Sequence, residues 1–221
     1  MTSPAPATRE RRLRPTPVII LLSLIYLAGV IGIALPVHDQ FIRLTPLTLL
    51  SSLALVLAFH PGPRGRLWGY VALCYIVGFA AEALGTSTGI LFGDYAYGHV
   101  LGPTLWHTPL IIGVNWALLL YCLNVVVQRV LPGLSRPLKG VIGAGLMVAL
   151  DMLIEPVAIH HEMWAWGDTL VPLSNYVGWF IVSLPISILF HYLFTRVHNP
   201  VAIAVALLMA GFFAALNLLG V

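Results

Sequence analysis

Charge is what this chain has least of. Only 9% of its 221 residues are Asp, Glu, Lys or Arg, against 59% hydrophobic, where an average soluble domain carries about 25% charged residues. With a mean hydropathy of +0.95, such a surface cannot be hydrated, which excludes a soluble globular domain. Lysine is nearly absent: Lys139 is the only one. A retinal-type Schiff base, which needs a lysine in a seventh span, is therefore excluded. The two cysteines, Cys74 and Cys122, both fall in apolar runs, where buried free thiols are expected rather than a disulfide framework. The formal charge of +3 does not point to nucleic acid, because the basic residues lie at the ends of apolar segments instead of forming a patch with interleaved aromatics.

What is present is a series of seven apolar stretches: Val18 to Leu35, Leu44 to Phe59, Leu67 to Leu84, Pro109 to Val127, Gly140 to Ile159, Tyr176 to Phe194 and Val201 to Leu219. Each is near the roughly 20 residues a helix needs to cross hydrocarbon, and in lipid the backbone must satisfy itself by helix formation. The expected architecture is all-α, a polytopic bundle of about seven transmembrane helices. Residues 18–221 form a single membrane domain, preceded by a disordered basic tail over residues 1–17. The second stretch is short and carries Pro46 near its start, so it is expected to tilt or to sit partly inside the bundle. The chain shows no internal repeat. The first run is followed by Pro36-Val37-His38-Asp39 without a small-x-small site, which argues for a retained span rather than a cleaved signal.

Lys and Arg bias the segments that bear them toward the cytoplasm. Arg9, Arg11, Arg12 and Arg14 precede span one; Arg64 and Arg66 follow span two; Arg129, Arg136 and Lys139 follow span four; Arg196 follows span six. Arg43 alone is opposite. This predicts a multi-pass protein of the cell membrane with its N-terminus in the cytoplasm and its C-terminus outside. His60, His191 and His198 fall on the cytoplasmic side, where interfacial packing is expected of them.

The opposite loops have another character. Residues 85–108 and 160–175 contain no Lys or Arg but hold Asp94, Glu162, Asp168, His99, His107, His160 and His161, with several aromatics. Gly85, Gly89 and Gly93 recur every four residues; because Thr86, Ser87 and Thr88 favour local hydrogen bonding over helix, a re-entrant loop is expected there. Three carboxyl groups, Glu82, Asp151 and Glu155, lie within the spans, where ionisable groups are costly and default to an interior cavity with a function. Asp151 and Glu155 are four apart, hence on one helix face. The topology brings them to a depth similar to that of Glu82 and of Asp94 on the following loop. No cation is available within the spans to pair with them. Close carboxyls in a low dielectric cannot all ionise, so at least one keeps its proton near neutral pH and is a general acid. The alternative is that these acids lock helices together by bonding to Asn115, Asn124, Asn175 or tyrosine hydroxyls. Trp106, Trp116, Trp164, Trp166, Trp179, Tyr95 and Tyr97 gather on the same side, either as an interfacial belt or as a pocket whose ring faces stabilise a cation.

Several of these segments belong to a recognisable pattern: Ala81-Glu82-Ala83-Leu84-Gly85-Thr86-Ser87-Thr88-Gly89, Phe92-Gly93-Asp94-Tyr95-Ala96-Tyr97 and Asp151-Met152-Leu153-Ile154-Glu155-Pro156-Val157-Ala158. With Trp164-Ala165-Trp166, Pro172-Leu173-Ser174-Asn175-Tyr176 and Gly178-Trp179-Phe180, the chain resembles the membrane-integral carotenoid hydratase family. That family includes γ-carotene 1′-hydratase and bisanhydrobacterioruberin hydratase. The resemblance runs from about span three to span six. Glu155 stands where some members have Asp, and the segment between Trp166 and Pro172 is shorter than in others.

The resemblance implies a hydro-lyase that adds water across the C1,C2 double bond of an acyclic ψ end group, without a cofactor and without a metal. Its partners would be a carotenoid drawn from the bilayer, water and membrane lipid. Asp151 or Glu155 would donate the proton and Glu82 or Asp94 assist the water; Tyr95, Tyr97, Trp106, Trp116, Trp164, Trp166, Asn175 and Trp179 would bind substrate. Two other classes stand beside it. One is a non-catalytic or proton-coupled membrane protein that binds or transports lipid or polyene and uses the acids as a relay. The other is a metal-dependent hydroxylase built on His99, His107, His160, His161 and Glu162, for which His-Glu-x-x lacks the second His of a zinc helix.

Overall fold

The structure is a computed structural model that describes residues 14–168 and 170–221. Of the tail over 1–17, residues 1–13 lie outside the described residues. Pro15, Thr16 and Pro17 belong to the first helix, α1 (Pro15–Ile33), because proline is tolerated where the first-turn N–H groups have no intrahelical partner. The same device opens α3 (Thr45–Ala58), α6 (Arg136–His160) and α8 (Pro200–Leu219).

The second apolar stretch is not one helix. A five-residue helix, α2 (His38–Ile42), precedes α3, and together they form a span, His38–Ala58, that is interrupted at Arg43 and Leu44. The remaining spans are α4 (Arg64–Thr88), α5 (Ile111–Val130), α6, α7 (Leu173–Leu193) and α8. Seven segments of the described residues are thus long and apolar enough to cross a membrane. The chain is an all-α multi-pass membrane protein, as its hydropathy predicts.

The re-entrant loop expected after Leu84 is corrected. Helix α4 continues through Thr88, and the hydroxyls of Thr86, Ser87 and Thr88 donate to the carbonyls of Glu82, Ala83 and Leu84, four residues back. Back-bonding of this kind satisfies hydroxyls inside a helix that lacks water. Gly89, with φ +67°, ends the helix, the left-handed conformation glycine adopts without a Cβ penalty.

Helix α5 is the axis of the bundle. Almost every residue from Ile111 to Gln128 is buried, and it packs against α3, α4, α6, α7 and α8. A central position suits a helix that is apolar on nearly every face. Helices α6 and α7 pair along their length, and α1 lies on the outside against α8. Leu24, Ile76, Ile181 and Leu207 point outward with more than half of their surface uncovered, as lipid-facing positions do.

Short strands cover one end of the bundle. β1 (Tyr95–Tyr97) pairs antiparallel with β4 (Trp164–Trp166) in the register Tyr95 to Trp166, Ala96 to Ala165 and Tyr97 to Trp164. Gly98 N to Met163 O (2.9 Å) and Gly167 N to Asp94 O (2.8 Å) extend this ladder. Gly98 is obligatory, since a Cβ there would stand 2.1 Å from the Glu162 carbonyl oxygen. β2 (Thr104–Leu105) and β3 (Thr108–Pro109) form a hairpin whose two-residue turn is Trp106-His107, both at positive φ.

Of the histidines at the opposite end, His198 is exposed while His60 and His191 are buried, and His60 Nδ1 lies 2.7 Å from the Tyr121 hydroxyl. Cys74 and Cys122 are buried free thiols.

Candidate active site

Strand alternation builds the site. Successive side chains point to opposite faces of a strand, so Tyr-Ala-Tyr and Trp-Ala-Trp, paired in register, present four aromatic rings on one face and two alanines on the other. The rings face the bundle. Tyr95 and Trp166 lie with centroids 5.0 Å apart, and Tyr97 and Trp164 meet edge to face at 5.9 Å.

Beneath this ribbon lie the intramembrane acids, each almost fully buried: Glu82 on α4, Asp151 and Glu155 on α6. The Tyr95 and Tyr97 hydroxyls donate to Glu82 Oε2 at 2.5 and 2.7 Å, and the Trp116 indole N–H donates to Oε1 at 3.1 Å. Glu155 Oε2 accepts from the indoles of Trp164 (3.0 Å) and Trp166 (2.9 Å). Asn175, at the start of α7, places its Nδ2 2.7 Å from Asp151 Oδ2 and 3.3 Å from Glu155 Oε1, bridging the two carboxyls of one helix face. Trp116 stacks on Trp179 with centroids 4.6 Å apart.

These groups line a small cavity of about 30 Å³. Glu82, Asp151 and Glu155 line it with Tyr95, Tyr97, Trp164, Trp166, Asn175 and Trp179, and no Lys or Arg does so among the described residues. Burial, then the Glu82 carboxylate, push the phenols of Tyr95 and Tyr97 well above the ordinary tyrosine value, so both remain donors. Polar convergence inside an apolar, aromatic enclosure is the ordinary signature of a ligand site.

Ten of the twelve site residues named from the sequence therefore come together, Trp116 through its bond to Glu82. Two do not. Asp94 is exposed, because it precedes Tyr95 on β1 and alternation turns it to the outer face of the ribbon, against Gly167. Trp106 is 66% exposed; it sits in the β2–β3 turn and does not line the cavity. Three lining residues were not assigned from the sequence: Ile112, Ile154 and Asn115. Ile154 and Asn115 each adjoin an assigned residue on a helix, which is the signal that places them nearby. The histidines do not converge as ligands: among the described residues, no group of three His, Cys, Asp or Glu side chains is placed to hold a metal.

Fold and site together define a polytopic membrane protein that encloses an aromatic, carboxylate-lined cavity at one end of its helical bundle. The family of carotenoid biosynthesis proteins matches residues 44–220, from the start of α3 to the end of α8, and the chain belongs to it. No curated protein and no solved structure matches the chain.

Proposed function

We propose that this member of the carotenoid biosynthesis family is a hydratase that adds water across the C1,C2 double bond of an acyclic ψ end group, giving a tertiary alcohol. One observation carries the reading: three buried carboxyl groups line a single aromatic cavity that has no basic residue among those described. Electrophilic hydration of a trisubstituted alkene needs an acid to protonate C2, a surface that tolerates the tertiary cation at C1, and a base for the attacking water. Uncharged carboxylic acid supplies the first, the faces of Trp179, Trp164 and Trp166 the second, and a neighbouring carboxylate the third.

Residue roles follow from position. The ribbon of β1 and β4 closes the cavity and orients Glu82 and Glu155; Asn175 bridges Asp151 and Glu155; Trp116 backs Trp179. No redox step is required, since the elements of water are added without change of electron count. The polyene reaches the cavity from the bilayer, and water comes from the loop end. In this reading the protein sits in the cell membrane.

The test is expression in a host that accumulates lycopene or γ-carotene, with pigment masses read against an empty-vector control. Gain of one water per ψ end is expected, and Asp151→Asn should abolish it. Unaltered pigment in every host would remove the hydratase reading and favour the non-catalytic binding class.

A further inference from the structure

The three carboxyls are not served equally. Glu82 and Glu155 together accept six side-chain hydrogen bonds, four of them from the β1–β4 ribbon. Asp151, equally buried, accepts one, from Asn175. An indole N–H is a donor only, so Glu155 Oε2, with two of them, must be an acceptor. Glu82 Oε1 is an acceptor for the same reason. Buried carboxylates are stable as anions when several donors converge on them. Asp151, with one donor and two carboxylates as neighbours, is where a shared proton resides. Among the described residues its second oxygen has no hydrogen-bond partner, and it belongs to a group that lines the cavity.

We infer that Asp151 alone delivers the proton, that Glu155 receives the proton of the attacking water, and that Glu82 remains a fixed anion held by the ribbon. This rests on the hydratase reading and divides its labour. The Asp151 O–H bond breaks and its proton forms a bond to C2 with the alkene π pair, leaving a cation at C1. A lone pair of water then forms the C1–O bond, and the resulting oxonium loses its proton to Glu155. Glu155 returns that proton to Asp151, which shares the Asn175 amide with it, so the site ends as it began. Glu155 is assigned this step rather than Glu82 because only Glu155 lies on the same helix face as Asp151 and touches the same amide. Glu82, across the cavity, faces the cation as a counter-charge.

Deuterium separates the two proton steps. Membranes carrying the full-length protein are given lycopene in D2O, and both the product and the recovered lycopene are analysed by mass. Wild type should yield alcohol with carbon-bound deuterium. Asp151→Asn should lose hydration and exchange together, by about 1,000-fold, and Asp151→Glu should regain exchange because the acid is restored. Glu155→Gln should hydrate about 100-fold more slowly yet continue to place deuterium in the recovered lycopene, since the cation still forms and collapses by proton loss. Wild type that adds no water to lycopene or to γ-carotene would remove the hydratase reading. Exchange that survives in Asp151→Asn, or that Glu155→Gln loses while Glu155→Asp keeps it, would overturn the division of roles alone.

Discussion

Glu82 depends on three donors for its place in an apolar interior, and each donor is separable by mutation. Tyr97→Phe removes one hydroxyl and little volume, leaving a buried acceptor oxygen short of a partner. Destabilisation of about 1–3 kcal/mol is expected, with hydration reduced roughly tenfold to a hundredfold; thermal melts in detergent and initial rates on lycopene measure both. Alkaline pH offers a second check. Because the phenols of Tyr95 and Tyr97 are held above the usual tyrosine value in the folded chain, their stabilisation is complete below about pH 10 and is lost as pH rises beyond it. The melting temperature should fall above that point in wild type and less steeply in Tyr95→Phe/Tyr97→Phe, with tyrosinate absorbance from this pair appearing only as the protein unfolds.

Helices and strands of this protein were unequally legible in its sequence. Long apolar runs and positive-residue spacing identify seven spans, because hydrocarbon permits little else than helix. Their ends were less clear. Arg64 and Arg66 open α4 although charge argued for a loop, and Thr86 to Thr88 close it because back-bonding replaces the water that such hydroxyls otherwise seek. The β1–β4 ribbon was missed. Tyr95-Ala96-Tyr97 and Trp164-Ala165-Trp166 are matched aromatic-Ala-aromatic triplets, a period-two signal, but three residues are too few to mark a strand when the partner is 67 to 71 positions away. Without the ribbon, the outward turn of Asp94 could not be foreseen. Glycine contacts give the element-scale prediction. Gly78 on α4 meets Trp116 so closely that a Cβ would stand 2.4 Å from the Trp116 Cβ, whereas Gly65 on the same helix meets nothing within 4 Å. Gly78→Ala should cost about 1–3 kcal/mol and loosen the Trp116 bond to Glu82, and Gly65→Ala should be neutral or stabilising by up to about 1 kcal/mol, as read by melting temperature.

On the scale of the whole molecule, the bundle separates two kinds of chemistry. Among the described residues, the basic side chains other than Arg43 gather at one end, and the carboxylate cavity lies toward the other. If the basic end faces the cytoplasm, an impermeant thiol reagent applied to intact cells should label Asp168→Cys and leave Ser135→Cys untouched until the cells are opened. Cys74 and Cys122 are buried and supply little background. The basic end also holds His60, buried against Tyr121, whose imidazole is held below the usual 6.5 by burial and then by Arg64. Its neutral form stabilises the fold above that value, and stability should be lost as pH falls below it; His60→Gln should flatten this acid limb of the melting curve. The common depth of the intramembrane acids was readable from sequence because each lay near the same end of its span. Their actual partners were not, since these depend on how α4, α6, α7 and the ribbon meet.

In the proposed reaction the cavity adds water to an alkene by proton transfer from a carboxyl group. Membranes containing the protein, supplied with lycopene in water enriched in ¹⁸O under ordinary air, decide whether it does. The expected product is an alcohol one water heavier than the substrate whose oxygen comes from the labelled water, absent when Asp151 is Asn. A hydroxyl derived from O2, or product formation indifferent to Asp151, would contradict it.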